Sequence, residues 1–168
     1  SKGILDTLKI CNVLKKRNKK FKCLFVGSWE NNKTKEKWFK LRRQLKLEKE
    51  CKYLGPKYDG DKLDILSETD IMIFPTSYEN ESFPLVILEA FMFGIPVYSY
   101  DNGAIKEIIK KDYGYVSKVG DYRDLYEKLR ENINKPQKNK EIREYFKQNF
   151  TFDKAEKRIK NIFEREII

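Results

Sequence analysis

Histidine is missing from this chain altogether. That excludes Ser-His-Asp and Cys-His nucleophilic catalysis and most zinc sites. Cysteine is scarce: Cys11, Cys23 and Cys51 are odd in number and show no C-x-x-C spacing. They fall within apolar patterns and read as reduced core cysteines of a cytosolic protein. Arg-rich tracts are lacking, and aromatics do not interleave with basic residues as on a nucleic-acid platform, so no nucleic-acid partner is expected. The longest apolar stretch, Phe83 to Tyr100, is broken by Glu89, Gly94 and Pro96 and is no membrane span. No stretch at the start reads as a signal peptide. With no repeat or low-complexity linker, residues 1–168 read as a single domain.

What is present is charge. Of 168 residues, 37% are charged and 40% hydrophobic, and the formal net charge is +10. That length suffices for one proper core. A basic balance fits nucleic acid, an anionic membrane or a phosphorylated ligand. Much of the lysine simply covers solvated helix faces, as in Lys15-Lys16-Arg17, Lys19-Lys20 and Lys138 to Lys147.

Periodicity alternates strands with helices. Ser1-Lys2-Gly3 leads into a helix with Ile4, Leu5, Leu8, Cys11 and Leu14 on one face. Strands are expected at 21–27, 51–54, 71–74, 97–100 and 114–116. Helices are expected at 33–47, 61–67, 104–110, 121–133, 140–148 and 152–165, the last capped by Thr151 or Asp153. This is an α/β pattern with a mostly parallel sheet. Ligands of such sheets bind beyond the carboxyl ends of the strands, where Lys2, Gly27, Gly55, 75–85 and Gly103 all fall.

The segment from Pro75 to Pro96 organises the rest. Strand 71–74 stops at Pro75, and a polar loop with Glu79 and Glu81 follows. Pro84 suits the first turn of a helix that runs to Phe93 and ends at Gly94. Leu85 to Phe93 leave no polar face, so the helix is expected to be buried all round, with Glu89 as its one charged residue. An ionised carboxylate there needs hydrogen-bonding partners, either from the protein or from the hydroxyls of a ligand. The free N–H groups at the helix start, on Phe83, Leu85 and Val86, suit a phosphate. Glu81 would repel a phosphate and should face a neutral, hydroxyl-rich group. Together these features suggest a nucleotide-sugar.

Glu81 and Glu89, seven residues apart in E-S-F-P-L-V-I-L-E-A and followed by G-I-P-V, resemble the E-x7-E signature of retaining GT-B glycosyltransferases of family 4. Lys2-Gly3, Leu24 to Gly27, Tyr53-Leu54-Gly55, Thr69-Asp70 and Gly103 to Glu107 are similar in the same order, so the resemblance covers the chain up to about Leu125. It implies a three-layer Rossmann-like domain, the C-terminal, donor-binding half of a longer enzyme whose N-terminal acceptor domain is absent from this chain. It also implies that the last helix packs on that absent half, leaving Ile159, Ile162, Phe163 and Ile167 bare.

By the same resemblance, Glu81 is the catalytic residue and takes the hydroxyls of the donor sugar, while Glu89 takes the ribose hydroxyls. Backbone N–H groups of Ser82, Phe83 and Leu85, with Lys2, would meet the sugar and diphosphate. Gly55, Asp59 and Lys62 match positions near the nucleobase. Ser82 and Pro84 stand where the family commonly has Gly, and Ala104 replaces the second Gly of a Gly-Gly pair. No Asp-x-Asp appears, so the expected reaction is metal-independent, with no cofactor and a nucleotide-diphospho-sugar, UDP-sugar favoured, as co-substrate. The family further implies a saccharide or lipid-linked acceptor, surface polysaccharide, lipopolysaccharide or glycolipid synthesis, and a cytoplasmic location at the inner membrane face with peripheral association. Two other readings stay open. One is a glycosidase using both acids, although eight helical positions span about 12 Å and retaining hydrolysis wants about 5 Å. The other is a non-catalytic Rossmann-like nucleotide-binding module.

Overall fold

A computed structural model describes residues 2–133 and 139–166, with side chains as far as residue 161. Five strands alternate with helices: α1 (Ile4–Lys16), β1 (Cys23–Val26), α2 (Asn32–Gln44), β2 (Cys51–Gly55), α3 (Asp59–Glu68), β3 (Met72–Phe74), α4 (Leu85–Met92), β4 (Val97–Tyr100), α5 (Ile105–Ile108), β5 (Gly114–Ser117), α6 (Tyr122–Asn132), α7 (Lys140–Asn149) and α8 (Phe152–Glu166). All strand pairs are parallel. They form a two-stranded sheet, β1-β2, and a three-stranded sheet, β3-β4-β5.

β4 carries the architecture. Its residues Val97, Tyr98, Ser99 and Tyr100 are all buried, as in a parallel strand covered on both faces. Side chains alternate across the sheet. Val97 joins Ile87, Phe91, Ile105 and Ile142, from α4, α5 and α7. Tyr98 and Tyr100 join Ile10, Leu14, Leu125 and Leu129, from α1 and α6. That makes three layers. A third cluster, with Leu8, Cys11, Trp38, Leu47 and Cys51, packs α1 and α2 onto β1-β2. α1 belongs to both sides of this division, because successive turns of one helix reach different clusters.

Two expectations about α4 need correction. Pro84 does not occupy the first helical turn: at ψ 104° it is the extended N-cap residue, and the helix starts at Leu85. Phe83 therefore lies before the cap, and the first helical N–H groups are those of Leu85 and Val86. Nor is α4 buried all round. Ile87, Ala90 and Phe91 are fully buried, whereas Leu85 is 66% exposed and Phe83 46% exposed. An apolar sequence forces burial only where another element covers it, and the open end of the sheet leaves this end of the helix uncovered.

Thr151 directly precedes α8, and its carbonyl accepts from the Lys154 and Ala155 N–H groups at 3.1 and 3.0 Å, whereas Asp153 lies inside the helix. The Thr151 hydroxyl donates back to the Lys147 carbonyl at 3.4 Å. Ile159 is exposed at 54%; the side chains of Ile162, Phe163 and Ile167 lie outside the described residues. No described helix is long and apolar enough to cross a membrane.

Phe91 is fully buried and meets Tyr113 and Tyr145 edge-on at 6.2 and 6.1 Å. Phe91→Ala should lower the unfolding free energy by about 3–5 kcal/mol, read by denaturant titration. A loss below about 1 kcal/mol would mean that the α4 core is not packed as described.

Candidate functional site

Two glycines bring the site together. Gly3, at φ 74°, lies against the end of β3, where an added Cβ would sit 2.0 Å from the Pro75 carbonyl oxygen. Gly103, at φ 56°, does the same to the signature loop, with 1.8 Å to the Glu81 carbonyl oxygen. Both positions need the left-handed conformation and bare backbone that only glycine supplies without strain. The Ala104 N–H donates to the Ser82 carbonyl at 3.1 Å, and the Asn102 side-chain amide donates to the Tyr78 carbonyl at 2.8 Å. The loop 75–84 is thus held from both flanks.

These contacts fix Glu81. Its side chain is only 9% exposed, and its carboxylate accepts from Lys2 Nζ at 2.5 Å and from the Thr76 hydroxyl at 3.1 Å. A buried carboxylate without such partners would be strongly disfavoured. Thr76 is itself fully buried. Lys2 is 52% exposed and also lies over the Tyr78 ring, at 4.7 Å from its centroid. Cation-π attraction therefore helps to hold an otherwise mobile side chain.

Glu89 has a different setting. Its side chain is 33% exposed and accepts from Lys62 Nζ at 2.7 Å, with Lys62 36% exposed. The carboxylate is neither sealed off nor left bare. At this exposure the pair contributes under about 1 kcal/mol, so a ligand hydroxyl can compete for the acid at little expense. Lys62 projects from α3, whose first residue Asp59 sits at φ 43°.

Gly55, at φ 75°, closes β2 in open space and accepts from the Gly27 N–H at 3.0 Å. Tyr53 donates its hydroxyl to the Gly27 carbonyl at 2.9 Å. A cleft of about 90 Å³ opens beside these strand ends, bordered by Lys2, Val26, Gly27, Ser28, Trp29 and Tyr53. Glu81 and Glu89 are not among its walls, and Lys2 stands between the cleft and the Glu81 carboxylate.

The structure therefore brings Lys2 to Glu81 and Lys62 to Glu89. Ser82, Phe83, Pro84 and Leu85 run between the two acids. Gly55 and Asp59 lie at the far strand end and helix start. Thr76, Tyr78, Asn102 and Trp29 are not among the residues that the sequence pattern singles out. A hydroxyl directly after the strand-ending Pro75 was the available signal for Thr76. Nothing in the linear pattern pointed to Trp29.

The chain matches the family model "Glycosyl transferases group 1" over residues 1–149. It is 24% identical over 168 residues to the capsular polysaccharide biosynthesis glycosyltransferase CapM of Staphylococcus aureus, covering 99% of this chain and 40% of that protein. Among solved structures, Anabaena HepE in complex with UDP and glucose superposes with a TM-score of 0.81 at 19% identity, over 97% of this chain and 45% of that one. A TarM variant of S. aureus, solved with fondaparinux, alpha-GlcNAc-glycerol and UDP, gives 0.76 at 22% identity, over 96% and 33%. The chain spans less than half the length of each of these relatives.

Gly103→Ala should lower the thermal unfolding midpoint, with a loss of about 1–3 kcal/mol, because the strain falls on backbone that cannot swing aside. A midpoint equal to that of the parent would mean that the loop is not pinned there. The sheet order, the pinned loop and the family match agree: this is a three-layer Rossmann-like domain of the GT-B type, and the chain belongs to the group 1 glycosyltransferases.

Proposed function

We propose that this chain is the donor-binding half of a retaining GT-B glycosyltransferase of family 4, which moves a sugar from a nucleotide-diphospho-sugar to an acceptor hydroxyl. The observation that carries the reading is the pair of acids Glu81 and Glu89. Each is matched to its own lysine, with Glu81 in the loop ahead of α4 and Glu89 on the second turn of that helix. Glu89, partly exposed and weakly held, accepts the ribose hydroxyls. Glu81, fixed by Lys2 and Thr76, is the catalytic acid residue and orients the sugar hydroxyls. A UDP-sugar is the favoured donor, since HepE and the TarM variant were both solved with UDP.

In the transfer, the bond from the anomeric carbon to the diphosphate oxygen breaks, and a bond to the acceptor oxygen forms on the same face. Negative charge builds on the leaving diphosphate, which also takes up the acceptor proton. The N–H groups of Leu85 and Val86, at the positive end of α4, are fixed dipoles that stabilise that charge, as does the Lys2 ammonium. Pro84 donates none. Lys2 has to serve both Glu81 and the diphosphate, so its ammonium is shared between the two as charge develops. Gly55, Asp59 and Lys62 form the nucleobase side, and Ser82 and Phe83 line the sugar side. These residues need no metal ion to neutralise the diphosphate.

Acceptor choice belongs to the part of the longer relatives that this chain does not span. The likeness to CapM supports a saccharide or lipid-linked acceptor in surface polysaccharide synthesis. Lipopolysaccharide or glycolipid synthesis at the inner membrane face is the same chemistry on a different acceptor. The two separately paired acids speak against a glycosidase, which needs its carboxylates acting on one bond.

Calorimetry with UDP, UDP-glucose, GDP and GDP-mannose tests the reading. UDP and its sugar should bind in the presence of EDTA, and Glu89→Ala should weaken binding at least tenfold. A demand for Mg²⁺ would remove the metal-independent mechanism. Failure of every nucleotide to bind the chain would leave only a scaffold. Retention itself is read on the full-length enzyme, from the anomeric configuration of the product.

A further inference from the structure

Three thiols that the transferase reading does not use meet inside the third core cluster, between α1 and β1-β2. Cys11 lies on α1, Cys23 opens β1 and Cys51 opens β2. Cys23 and Cys51 are direct partners in the parallel ladder, so their side chains leave the same face of the sheet. α1 covers that face and brings Cys11 down onto them. All three Sγ atoms lie within 4.8 Å of one another. Cys11 and Cys51 are almost wholly buried, and Cys23 is half-buried.

The ligand set is sulfur alone. Among the described residues no carboxylate joins the group, and the chain has no histidine. Three sulfurs about 2.3 Å from a central ion stand about 4 Å apart, so closing on an ion requires shifts of about 1 Å or less. Sets made only of thiolate select soft cations. Structural zinc takes four ligands. Here a fourth would have to be water, and the shell of Leu8, Phe25, Trp38 and Leu47 is apolar. Copper(I) accepts three sulfurs without that addition.

A second observation concerns charge. The Arg42 guanidinium stacks over Trp38 at 5.4 Å, in contact with the same cluster. Its Nε is buried and has no hydrogen-bond partner among the described residues. Two charges of opposite sign act on Cys51: the Glu50 carboxylate disfavours its thiolate, and the Arg42 guanidinium favours it more weakly, so the three sulfurs themselves carry the case for the site.

We propose that Cys11, Cys23 and Cys51 form a buried three-sulfur site for copper(I), clamping α1 onto the β1-β2 sheet. Each Cu–S bond forms as a thiol gives up its proton to solvent, and the metal stays monovalent throughout. The clamp would act on α1, which follows Lys2 and its N-cap Gly3, and so on the element next to the countercharge of Glu81.

The test uses the reduced, oxygen-free chain against copper(I) held by excess bathocuproine disulfonate. One copper per chain should leave the chelator, and the thermal midpoint should rise as the bound state is populated. Cys11→Ser, Cys23→Ser and Cys51→Ser should each weaken uptake at least tenfold while circular dichroism stays that of the parent. Should a variant not fold, X-ray absorption of the copper-loaded parent replaces it, and a shell of three sulfurs is expected. No uptake from the chelator, uptake unchanged in folded variants, or a shell containing nitrogen or oxygen would each overturn the site and leave three core thiols in simple van der Waals contact.

Discussion

A carboxylate that is nine-tenths buried must be held by something, and most of the site's geometry follows from how Glu81 is held. Its partners come from far apart in the chain: Lys2 just ahead of α1 and Thr76 just beyond β3. Lys2 reaches it from the other end of the chain because backbone approaches backbone there at less than side-chain distance. Gly3 allows this at Pro75, and Gly103 allows it at Glu81 itself. The two close approaches and the buried acid are mutually dependent. Removing the countercharge strands the acid, and adding a Cβ moves the loop that presents it.

The second acid follows the same electrostatic rule under weaker burial. Glu89 emerges from the middle of an apolar helix, where it stays partly exposed, and Lys62 from α3 meets it there. One acid is thus rigidly fixed and the other only loosely engaged. On the proposed reading, that difference suits a donor with two ends: a sugar whose reacting carbon needs precise placement, and a nucleoside that needs only to be gripped. The exposed Leu85 and Phe83 lie between the two acids, where the helix also offers its positive end.

The core explains why the open side is where it is. β4 is buried on both faces, with α4, α5 and α7 on one side and α1 and α6 on the other. Helices cover the faces of the sheet but not the carboxyl ends of its strands, so loops and helix starts collect there. The high positive charge of the sequence has a mixed fate. Lys2 and Lys62 serve the acids of the site, whereas Lys9, Lys128 and Lys147 make ordinary ion pairs one helical turn away, worth a few tenths of a kcal/mol each.

Strand and helix order, the parallel α/β class, and the grouping of glycines and acids at strand ends were all legible in the linear pattern, because periodicity and turn residues act locally. The E-x7-E spacing was equally legible. Three things were not. The exposure of Leu85 depends on what covers the helix start. The Pro84 position depends on a ψ angle set by the docked loop. The lysine partners of Glu81 and Glu89 lie 79 and 27 positions away in sequence. The sequence by itself determined which residues are acids, which are glycines and which segments are apolar. Only the tertiary structure decided which lysine answers which acid, since charge pairing across a fold depends on distances that no local rule contains.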